Sequence, residues 1–377
     1  MKEIRMVDLY GQYRHIRKEI DEAMQGVLES TAFINGPAIG EFSARLEQYL
    51  GVRHVIPCAN GTDALQLALM ALDLQPGDEV ITPDFTFIAT VEAIALLGMK
   101  PVLADVDPGT FNITPSSIEK LVGPKTRAII PVHLFGQCAE MEPILDIARK
   151  HRLYVIEDTA QALGADYIGV DGRQSKAGTL GTIGCTSFFP SKSLGCYGDG
   201  GACFTNDDRL AEKIRSTANH GMAERYRYDR VGINSRLDTL QAAVLKVKLK
   251  YLDEYHHRRQ RVAEVYDQAL KQQQRITLPA RSSFSTHIFH QYTLKLHPDD
   301  RDRLKEYLRA KGIPTMIYYP SPLHTQVAYR YLGYQAEDFP VTGRLCRQVL
   351  SLPVHTEMEE DQQLYIIESI LEFFQKH

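Results

Sequence analysis

The sequence has no Cys-x-x-Cys pair, no marked excess of one charge and no long apolar run. Its six cysteines are scattered, which argues against a zinc site and against disulfide bonds. They are Cys58, Cys138, Cys185, Cys196, Cys203 and Cys346. Lys and Arg together number 43 and Asp and Glu 47, so the net charge is −4. That balance argues against a nucleic-acid partner, which normally meets a basic surface.

No stretch approaches the ~18 consecutive apolar residues that a membrane helix requires. The first five residues also lack the apolar stretch of a secretory signal. What the sequence does have is a globular composition, with 44% hydrophobic and 24% charged residues. We therefore expect a cytoplasmic protein with reduced thiols and no membrane contact. Its 377 residues are enough for two hydrophobic cores.

Hydrophobic periodicity predicts an α/β protein. Residues 8–50 carry apolar side chains at helical spacing, interrupted at Asn35-Gly36-Pro37, which predicts two amphipathic helices. From residue 54, short β-branched runs alternate with helical segments, which predicts a mostly parallel sheet flanked by helices. The predicted strands are 54–58, 79–82, 100–105, 127–132, 153–156, 184–188 and 202–204.

The pattern changes again near residue 240. The elements predicted there are a long helix over 239–270, strands over 291–296 and 315–319, and helices over 300–311 and 359–374. Such a mixture is typical of a smaller α+β unit. We therefore predict two domains: residues 1–240 hold the N-terminal helices and the large α/β sheet, and residues 241–377 form the small C-terminal domain.

Candidate functional residues follow three of the predicted strands, where ligands bind in α/β sheets. Thr62 is a candidate helix N-cap, and the free N–H groups of a first helical turn suit a phosphate. Asp158 is a carboxylate that suits a protonated ring nitrogen or a metal. Lys192 lies in an apolar, glycine-rich loop, where desolvation makes a lysine a nucleophile for carbonyls. Taken singly, each has an ordinary alternative: helix capping for the first two and a solvated lysine for the third.

Taken together, a helix N-terminus, a carboxylate and a lysine are what pyridoxal 5′-phosphate requires for its phosphate, ring nitrogen and aldehyde. Their order and spacing resemble fold-type-I aminotransferases, and most closely the DegT-type nucleotide-sugar aminotransferases. The resemblance runs from Val7-Asp8-Leu9 to the last helix. The segments that carry it are Asn60-Gly61-Thr62-Asp63-Ala64-Leu65, Glu157-Asp158-Thr159-Ala160-Gln161, Ser187-Phe188-Phe189-Pro190-Ser191-Lys192, Gly198-Asp199-Gly200-Gly201 and Asn234-Ser235-Arg236-Leu237.

The resemblance implies a role for each residue near the cofactor ring. Lys192 is expected to form the internal Schiff base, and Asp158 to pair with the pyridine N–H. Gln161 is expected to contact the phenolic oxygen. Phe87 is expected to stack on the ring, with Phe85 as its rival, because both lie on the same face of an extended segment.

The resemblance also implies how the cofactor phosphate is held. The chain at Gly61, Thr62 and Asp63 is expected to bind it, together with the Ser187 hydroxyl. Asn234 is expected to reach the phosphate from the neighbouring subunit. This implies a homodimer with shared active sites.

The substrate end departs from the family pattern. The segment Tyr318-Tyr319-Pro320-Ser321-Pro322-Leu323-His324 resembles the family's sugar site, so Tyr318, Tyr319 and His324 are predicted substrate contacts. Many relatives have His where this chain has Tyr318. Arg236 is predicted to bind a carboxylate or a diphosphate, with a salt bridge at the dimer interface as its alternative. The stretches 225–228 and 256–259 are interpreted as a solvated loop and a solvated helix face.

The resemblance implies an aminotransferase that converts a nucleotide-linked keto-sugar to an amino sugar, with L-glutamate as the donor, in a ping-pong reaction. The run 235–241 is most similar to enzymes that aminate C3 of a UDP-linked 3-keto-N-acetylhexosaminuronate. The alternatives are C3 or C4 amination of a dTDP- or UDP-linked keto-6-deoxysugar, and a non-catalytic cofactor-binding regulator. Lys192 argues against the family's sugar dehydratases, which have His there. No Gly-x-Gly-x-x-Gly follows the first strand, which argues against a nicotinamide-dependent oxidoreductase.

Overall fold

The structure is a computed structural model that describes residues 2–376. Two helices open the chain, α1 (Leu9–Ser30) and α2 (Pro37–Leu50). Asp8 caps α1 by accepting a hydrogen bond from the Gly11 N–H at 2.9 Å, and Pro37 begins α2. Proline fits that position because the first N–H groups of a helix have no partner within it. The predicted pair of N-terminal helices is confirmed.

The rest of the chain alternates between strands and helices. The strands are β1 (His54–Cys58), β2 (Glu79–Pro83), β3 (Lys100–Ala104), β4 (Thr126–Ile129), β5 (Tyr154–Asp158), β6 (Asp166–Ile168), β7 (Gln174–Lys176), β8 (Ile183–Ser187), β9 (Gly201–Thr205), β10 (Met222–Glu224), β11 (Arg227–Tyr228), β12 (Ile276–Thr277), β13 (Tyr292–Leu296) and β14 (Val349–Leu352). The remaining helices are α3 (Gly61–Ala71), α4 (Ala89–Leu96), α5 (Pro115–Leu121), α6 (Met141–His151), α7 (Asp208–Ala218), α8 (Thr239–Lys248), α9 (Leu252–Leu270), α10 (Pro298–Ala310), α11 (Pro340–Gln348) and α12 (Glu360–Lys376). Within residues 2–376, none of the helices combines the length and the apolar character that a membrane crossing needs.

Seven strands form the central sheet in the order β1-β9-β8-β5-β4-β2-β3. Neighbouring strands from β8 to β3 are parallel, whereas β9 is antiparallel to both β8 and β1. All five residues of β9 are buried, as expected for a strand in the middle of a sheet that is covered on both faces. The predicted fold class, a mostly parallel sheet flanked by helices, is confirmed.

Two layers of helices cover the sheet. Leu65 and Leu69 of α3 pack in one core with Ile156 of β5. Ile144 of α6 packs in another core with Val155, the preceding residue of the same strand. Successive residues of a strand point to opposite faces, so α3 and α6 lie on opposite sides of the sheet. The ends of the parallel strands are left open between these layers.

A separate core, away from the central sheet, forms around a small antiparallel sheet in the order β12-β13-β14. Tyr266 of α9 and Leu304 of α10 pack in this core, which also includes Ile4 from the start of the chain. Helix α8 packs instead against α1 and α2. The single helix predicted over 239–270 is therefore two helices, α8 beside the N-terminal helices and α9 in the core of the small sheet. The domain boundary at residues 240/241 stays a prediction.

Two predictions for the C-terminal part are wrong. Residues 315–319 do not form a strand, because only Met316 pairs, through two hydrogen bonds with Ser351. Tyr318 and Tyr319, at the end of this segment, line a cavity instead. The stretch 256–259 is not a solvated helix face either: His256 is 4% exposed and Arg259 is 3% exposed. Arg259 tolerates burial because it donates a hydrogen bond to the Val354 carbonyl at 2.7 Å.

Candidate active site

A cavity of about 830 Å³ lies at the ends of the parallel strands. Residues after β1, β2, β5 and β8 line one side, and residues beside β13 together with Tyr318 and Tyr319 line the other. The structure brings together most of the predicted site here: Gly61, Thr62, Asp63, Phe87, Asp158, Gln161, Ser187, Lys192, Tyr318 and Tyr319. Asn234, Arg236 and His324 do not line this cavity.

The N-terminus of α3 opens onto the cavity. The predicted N-cap was Thr62, but the structure assigns this role to Asn60, whose side chain accepts a hydrogen bond from the Asp63 N–H at 2.8 Å. Within the described residues, the Gly61 and Thr62 N–H groups have no hydrogen-bond partner. Two free N–H groups at a helix N-terminus suit an anion. The Asp63 N–H, which was expected to bind the phosphate, is occupied by the cap.

Gly61 allows α3 to begin very close to the end of β8. A Cβ atom at this position would lie 2.6 Å from the Cβ of Ser187, which is closer than real Cβ atoms approach. Glycine is therefore the residue that fits between helix and strand. The close approach places the Ser187 hydroxyl beside the free N–H groups of α3.

Asp158 lies at the end of β5 and is 6% exposed. Its carboxylate accepts hydrogen bonds from the Thr90 hydroxyl at 2.9 Å and from the Ala160 N–H at 3.1 Å. Burial raises the pKa of Asp158, while these two donors and the Lys192 charge act in the opposite direction. A buried carboxylate of this kind needs a cationic partner, and a protonated ring nitrogen supplies one.

The neighbouring residue of β5, Glu157, anchors this strand end. Its carboxylate accepts N–H hydrogen bonds from Gly178, Leu180 and Gly181 at 2.9, 2.8 and 2.5 Å. The buried His133 ring lies 2.9 Å from Glu157. Because His133 Nδ1 accepts the Ala139 N–H, its proton is on Nε2 and points to the Glu157 carboxylate. These contacts fix the strand end, and with it the position of Asp158.

The Lys192 amine faces the cavity from the loop after β8. Burial lowers its pKa to about 8, although the Asp158 carboxylate acts in the opposite direction. The loop is held by α8: Gln241 accepts the Tyr197 N–H at 2.8 Å, and the buried Lys248 amine donates to the Gly195 carbonyl at 2.5 Å. An amine that loses its proton easily and sits in a fixed loop has the properties of a nucleophile for carbonyls.

Of the two rival phenylalanines, the structure places Phe87 in the cavity. Phe87 is 55% exposed, whereas Phe85 is 1% exposed and packs against Phe111, with ring centroids 6.0 Å apart. Gln161 connects the two sides of the cavity. Its side-chain oxygen accepts the Phe135 N–H at 2.9 Å, and its amide nitrogen donates to the Tyr319 hydroxyl at 3.0 Å.

Three predicted residues lie outside the main cavity. Asn234 and Arg236 line an adjoining cavity of about 440 Å³, which shares Asp199 with the main one. Within the described residues, Arg236 forms no ion pair. His324 is 5% exposed and bound to Asp84, with its Nδ1 atom 2.6 Å from the carboxylate. Its contacts fix the segment that carries Tyr319 to the segment that carries Phe87.

Several residues of the site were not found from the sequence. Thr90 and His133 support the strand end, and His290 lines the cavity. Each of them reaches the site through contacts between segments that are far apart in the chain. A polar residue within an apolar run, as at Thr90, is the one signal that the sequence offered.

A model of the DegT/DnrJ/EryC1/StrS aminotransferase family matches residues 14–371. The chain belongs to this family. The predicted membership and the prediction of an aminotransferase are therefore confirmed. The DegT/DnrJ/EryC1/StrS aminotransferases depend on pyridoxal 5′-phosphate, so the predicted cofactor is confirmed as well.

Among similar proteins of the DegT/DnrJ/EryC1/StrS type is UDP-2-acetamido-2-deoxy-3-oxo-D-glucuronate aminotransferase from Pseudomonas aeruginosa. It is 47% identical over 356 residues, which are 94% of this chain and 96% of the relative. A pleiotropic regulatory protein from Geobacillus stearothermophilus is 45% identical over 371 residues, 98% of either chain. The crystal structure of S. venezuelae DesV in complex with ketimine intermediate is 38% identical, covers 99% of each chain and has a TM-score of 0.94.

The residues present fit the cofactor of the DegT/DnrJ/EryC1/StrS family. Free N–H groups and the Ser187 hydroxyl suit its phosphate, and Gly61 leaves the space that a Cβ would fill. Asp158 suits its ring nitrogen, and Lys192 suits its aldehyde. The exposed face of Phe87 suits its flat ring.

Proposed function

We propose that this chain transfers an amino group from L-glutamate to the ketone of a nucleotide-linked sugar, using pyridoxal 5′-phosphate. The observation that carries the proposal is the shared cavity of the α3 N-terminus, buried Asp158 and Lys192. Its volume of about 830 Å³ is in the range of small-molecule sites, about 300–1,000 Å³.

The chain's own groups would hold the cofactor at its two ends. The Gly61 and Thr62 N–H groups and the Ser187 hydroxyl bind the phosphate. Asp158 holds a proton on the ring nitrogen, because its buried carboxylate is stabilised by a positive partner. The cofactor then supplies a reactive aldehyde carbon and a ring that withdraws electrons.

Lys192 has two tasks in the proposed reaction. Its amine would hold the cofactor at the aldehyde carbon. When free, the same amine would act as the general base that moves the proton from the Cα of L-glutamate to the cofactor carbon. A pKa of about 8 suits a base that must accept and release a proton near neutral pH.

For the acceptor we propose the C3 ketone of a UDP-linked 3-keto-N-acetylhexosaminuronate. The 47% identical Pseudomonas aeruginosa relative, named as a 3-oxo-glucuronate aminotransferase, supports this choice. Arg236 also supports it, since an arginine without an ion pair suits the carboxylate or diphosphate of such a sugar. Tyr318 and Tyr319 are the proposed sugar contacts in the main cavity. His324 is not kept as a contact, because it is buried beside Asp84.

We also propose a cytoplasmic homodimer whose active sites are shared between subunits. Asn234 is exposed in an adjoining cavity rather than in the main one, which supports a role toward a second copy. An apolar side chain to which the cofactor gives no partner is also left open at the site, since Phe189 is 52% exposed. A second copy would cover it. Six buried free cysteines support a reducing compartment.

The test uses the pyridoxamine form of the enzyme and a panel of keto-sugar nucleotides. Return of the aldehyde-form absorbance identifies the acceptor, and we expect it with the UDP-linked 3-keto-hexosaminuronate. Lys192→Ala is the control and should show no return. The name of the Geobacillus relative suggests an alternative, a regulator that only binds the cofactor. Such a protein would show no half-reaction even with L-glutamate. That result would overturn the proposal.

A further inference from the structure

His290 is a buried residue of the cavity wall to which the family resemblance gives no role. It is 6% exposed and lies two residues before β13. It lines the cavity together with Lys192, Gln291 and Tyr319. A substrate bound in this cavity beside the Lys192 amine would therefore be within the walls that His290 helps to form.

The His290 ring has no hydrogen-bond partner in the part of the chain that the structure describes. Its Nδ1 atom is fully enclosed and unpaired. The small exposed fraction of the residue faces the cavity. Buried side-chain polar atoms in native proteins are mostly paired, and an unpaired one costs about 1–3 kcal/mol. The other ring nitrogen, Nε2, is not enclosed and has no partner within the described residues, so a ligand in the cavity can reach it.

The backbone that carries the His290 ring is held in place without a ligand. Arg259 donates hydrogen bonds to the Val354 carbonyl at 2.7 Å, to the Phe289 carbonyl at 3.4 Å and to the His290 carbonyl at 3.5 Å. The Gln291 N–H donates to the Phe135 carbonyl at 3.3 Å. The backbone on both sides of His290 is therefore fixed before any ligand arrives, which lowers the cost of binding.

The charge state of the ring is also set by its surroundings. Burial, with the Lys192 and Arg259 charges nearby, holds the pKa of His290 well below its ordinary value of 6.5. A neutral imidazole has one N–H. An enclosed unpaired N–H is rarer than an enclosed unpaired acceptor, so the proton belongs on Nε2 rather than on Nδ1.

We propose that His290 contacts the substrate directly, donating a hydrogen bond from Nε2 to a substrate oxygen beside Lys192. The inference deepens the proposed function and rests on it. An uncharged donor suits either the carboxylate of the amino-acid donor or a hydroxyl or carbonyl oxygen of the sugar. Both are oxygen acceptors, and the two half-reactions distinguish them.

The test compares His290→Phe, which keeps a flat ring without the donor, with His290→Asn, which keeps an N–H. If the His290→Phe protein does not fold, His290→Ala is used in its place. The control is His256→Asn, since His256 is equally buried and also has an unpaired ring nitrogen but does not line the cavity. Single-turnover half-reactions with L-glutamate and with the keto-sugar nucleotide give an apparent Kd and a rate for each substrate.

We expect His290→Phe to weaken the apparent Kd about tenfold in one half-reaction and to leave the other within about twofold. The affected half-reaction identifies the oxygen. His290→Asn should recover most of the loss, and His256→Asn should change neither Kd. The cofactor-free His290→Phe protein should unfold at the wild-type temperature or above, because no protein partner is lost.

Unchanged Kd values in both half-reactions of His290→Phe would overturn the inference. So would a loss of cofactor affinity alone, which would place the contact on the cofactor. A wild-type enzyme that reacts with neither substrate would instead overturn the proposed function.

Discussion

Lys192 differs from Lys248, a buried lysine that supports the loop of Lys192 but does not line the cavity. Both have a pKa lowered by burial to about 8. The Lys248 amine donates to the Gly195 carbonyl, whereas that of Lys192 has no hydrogen bond within the described residues. A lowered pKa therefore does not distinguish the two lysines. What distinguishes Lys192 is that its amine faces the cavity.

This difference predicts the labelling of the cofactor-free protein by a trace amine reagent. Lys192 should react with a half-maximum near pH 8, because raising the pH through its pKa removes the proton from the amine. An ordinary lysine reaches this point near pH ~10.4. Borohydride reduction of the holoenzyme should attach the cofactor to the same residue. Recovery of the reduced cofactor on Lys248 would refute the assignment.

Asp158→Asn tests the role of the carboxylate. The amide has nearly the same shape and still accepts the Thr90 hydroxyl, so we expect the cofactor to bind. It cannot stabilise a proton on the ring nitrogen, and each ~1.4 kcal/mol lost is tenfold in rate. We expect the glutamate half-reaction to slow by at least ~100-fold. A rate close to that of the wild type in stopped-flow absorbance would contradict the role.

At this scale the sequence singled out Lys192 and Asp158 by residue type, by position near strand ends and by the motifs around them. The structure places both in one cavity, and their roles stay predictions. His290 and Thr90 are different, because their importance comes from contacts between segments far apart in the chain. The N-cap of α3 was predicted at Thr62, whereas the structure has it at Asn60. Both residue types cap helices, and only the backbone angles decide between them.

Among the elements, the junction between α3 and β8 depends most on one residue. Gly61→Ala would place a methyl group 2.6 Å from the Cβ of Ser187 and force the helix and strand apart. Overpacking of this kind costs about 1–3 kcal/mol. We expect a lower unfolding temperature and a clear loss of cofactor affinity, measured by absorbance titration.

Gly40→Ala is the matched control for that variant. Gly40 lies inside α2, and nothing within 4 Å obstructs a Cβ there. Alanine in a helix interior is favoured over glycine by about 0.5–1 kcal/mol. Gly40→Ala should therefore unfold at a higher temperature with unchanged cofactor affinity. An equal loss of cofactor affinity in both variants would show that cofactor binding does not depend on the close approach of α3 and β8 at Gly61.

The elements that the sequence predicted are those with a local signal. Strand β1 was predicted with its observed ends, and the other strands of the central sheet to within a few residues. The hairpin β6-β7 was missed because its strands have only three residues each and the three residues of β7 are all polar. Residues 315–319 were assigned to a strand because β-branched and aromatic residues favour strands, but Tyr318 and Tyr319 line a cavity wall instead.

For the whole molecule, the proposal of shared sites predicts the outcome of subunit mixing. Lys192→Ala removes the nucleophile, and Asn234→Asp places a negative charge where a phosphate is expected. Each mutant homodimer should be nearly inactive. In a heterodimer with shared active sites, both substitutions fall in one site, and the other site has neither of them. Random mixing gives about half heterodimers, so about a quarter of all sites should recover.

The alternative arrangement gives a different result in the same experiment. If both residues served one site within a subunit, every site of a heterodimer would carry one lesion. Mixtures with confirmed heterodimers but no activity above that of the parents would therefore rule out the shared site. Mass spectrometry of the intact dimers supplies the control.

The pairing of β1 with β9 has a consequence for how the molecule is made. His54 pairs with Thr205, so the two strands are about 150 residues apart in the chain. A ribosome adds about 5–20 residues per second, so the first strand waits roughly 8–30 s for β9, its neighbour in the sheet. During that time its unpaired backbone N–H and C=O groups can meet another nascent chain. The speed of translation between these two strands should therefore set how much of the protein reaches the folded state.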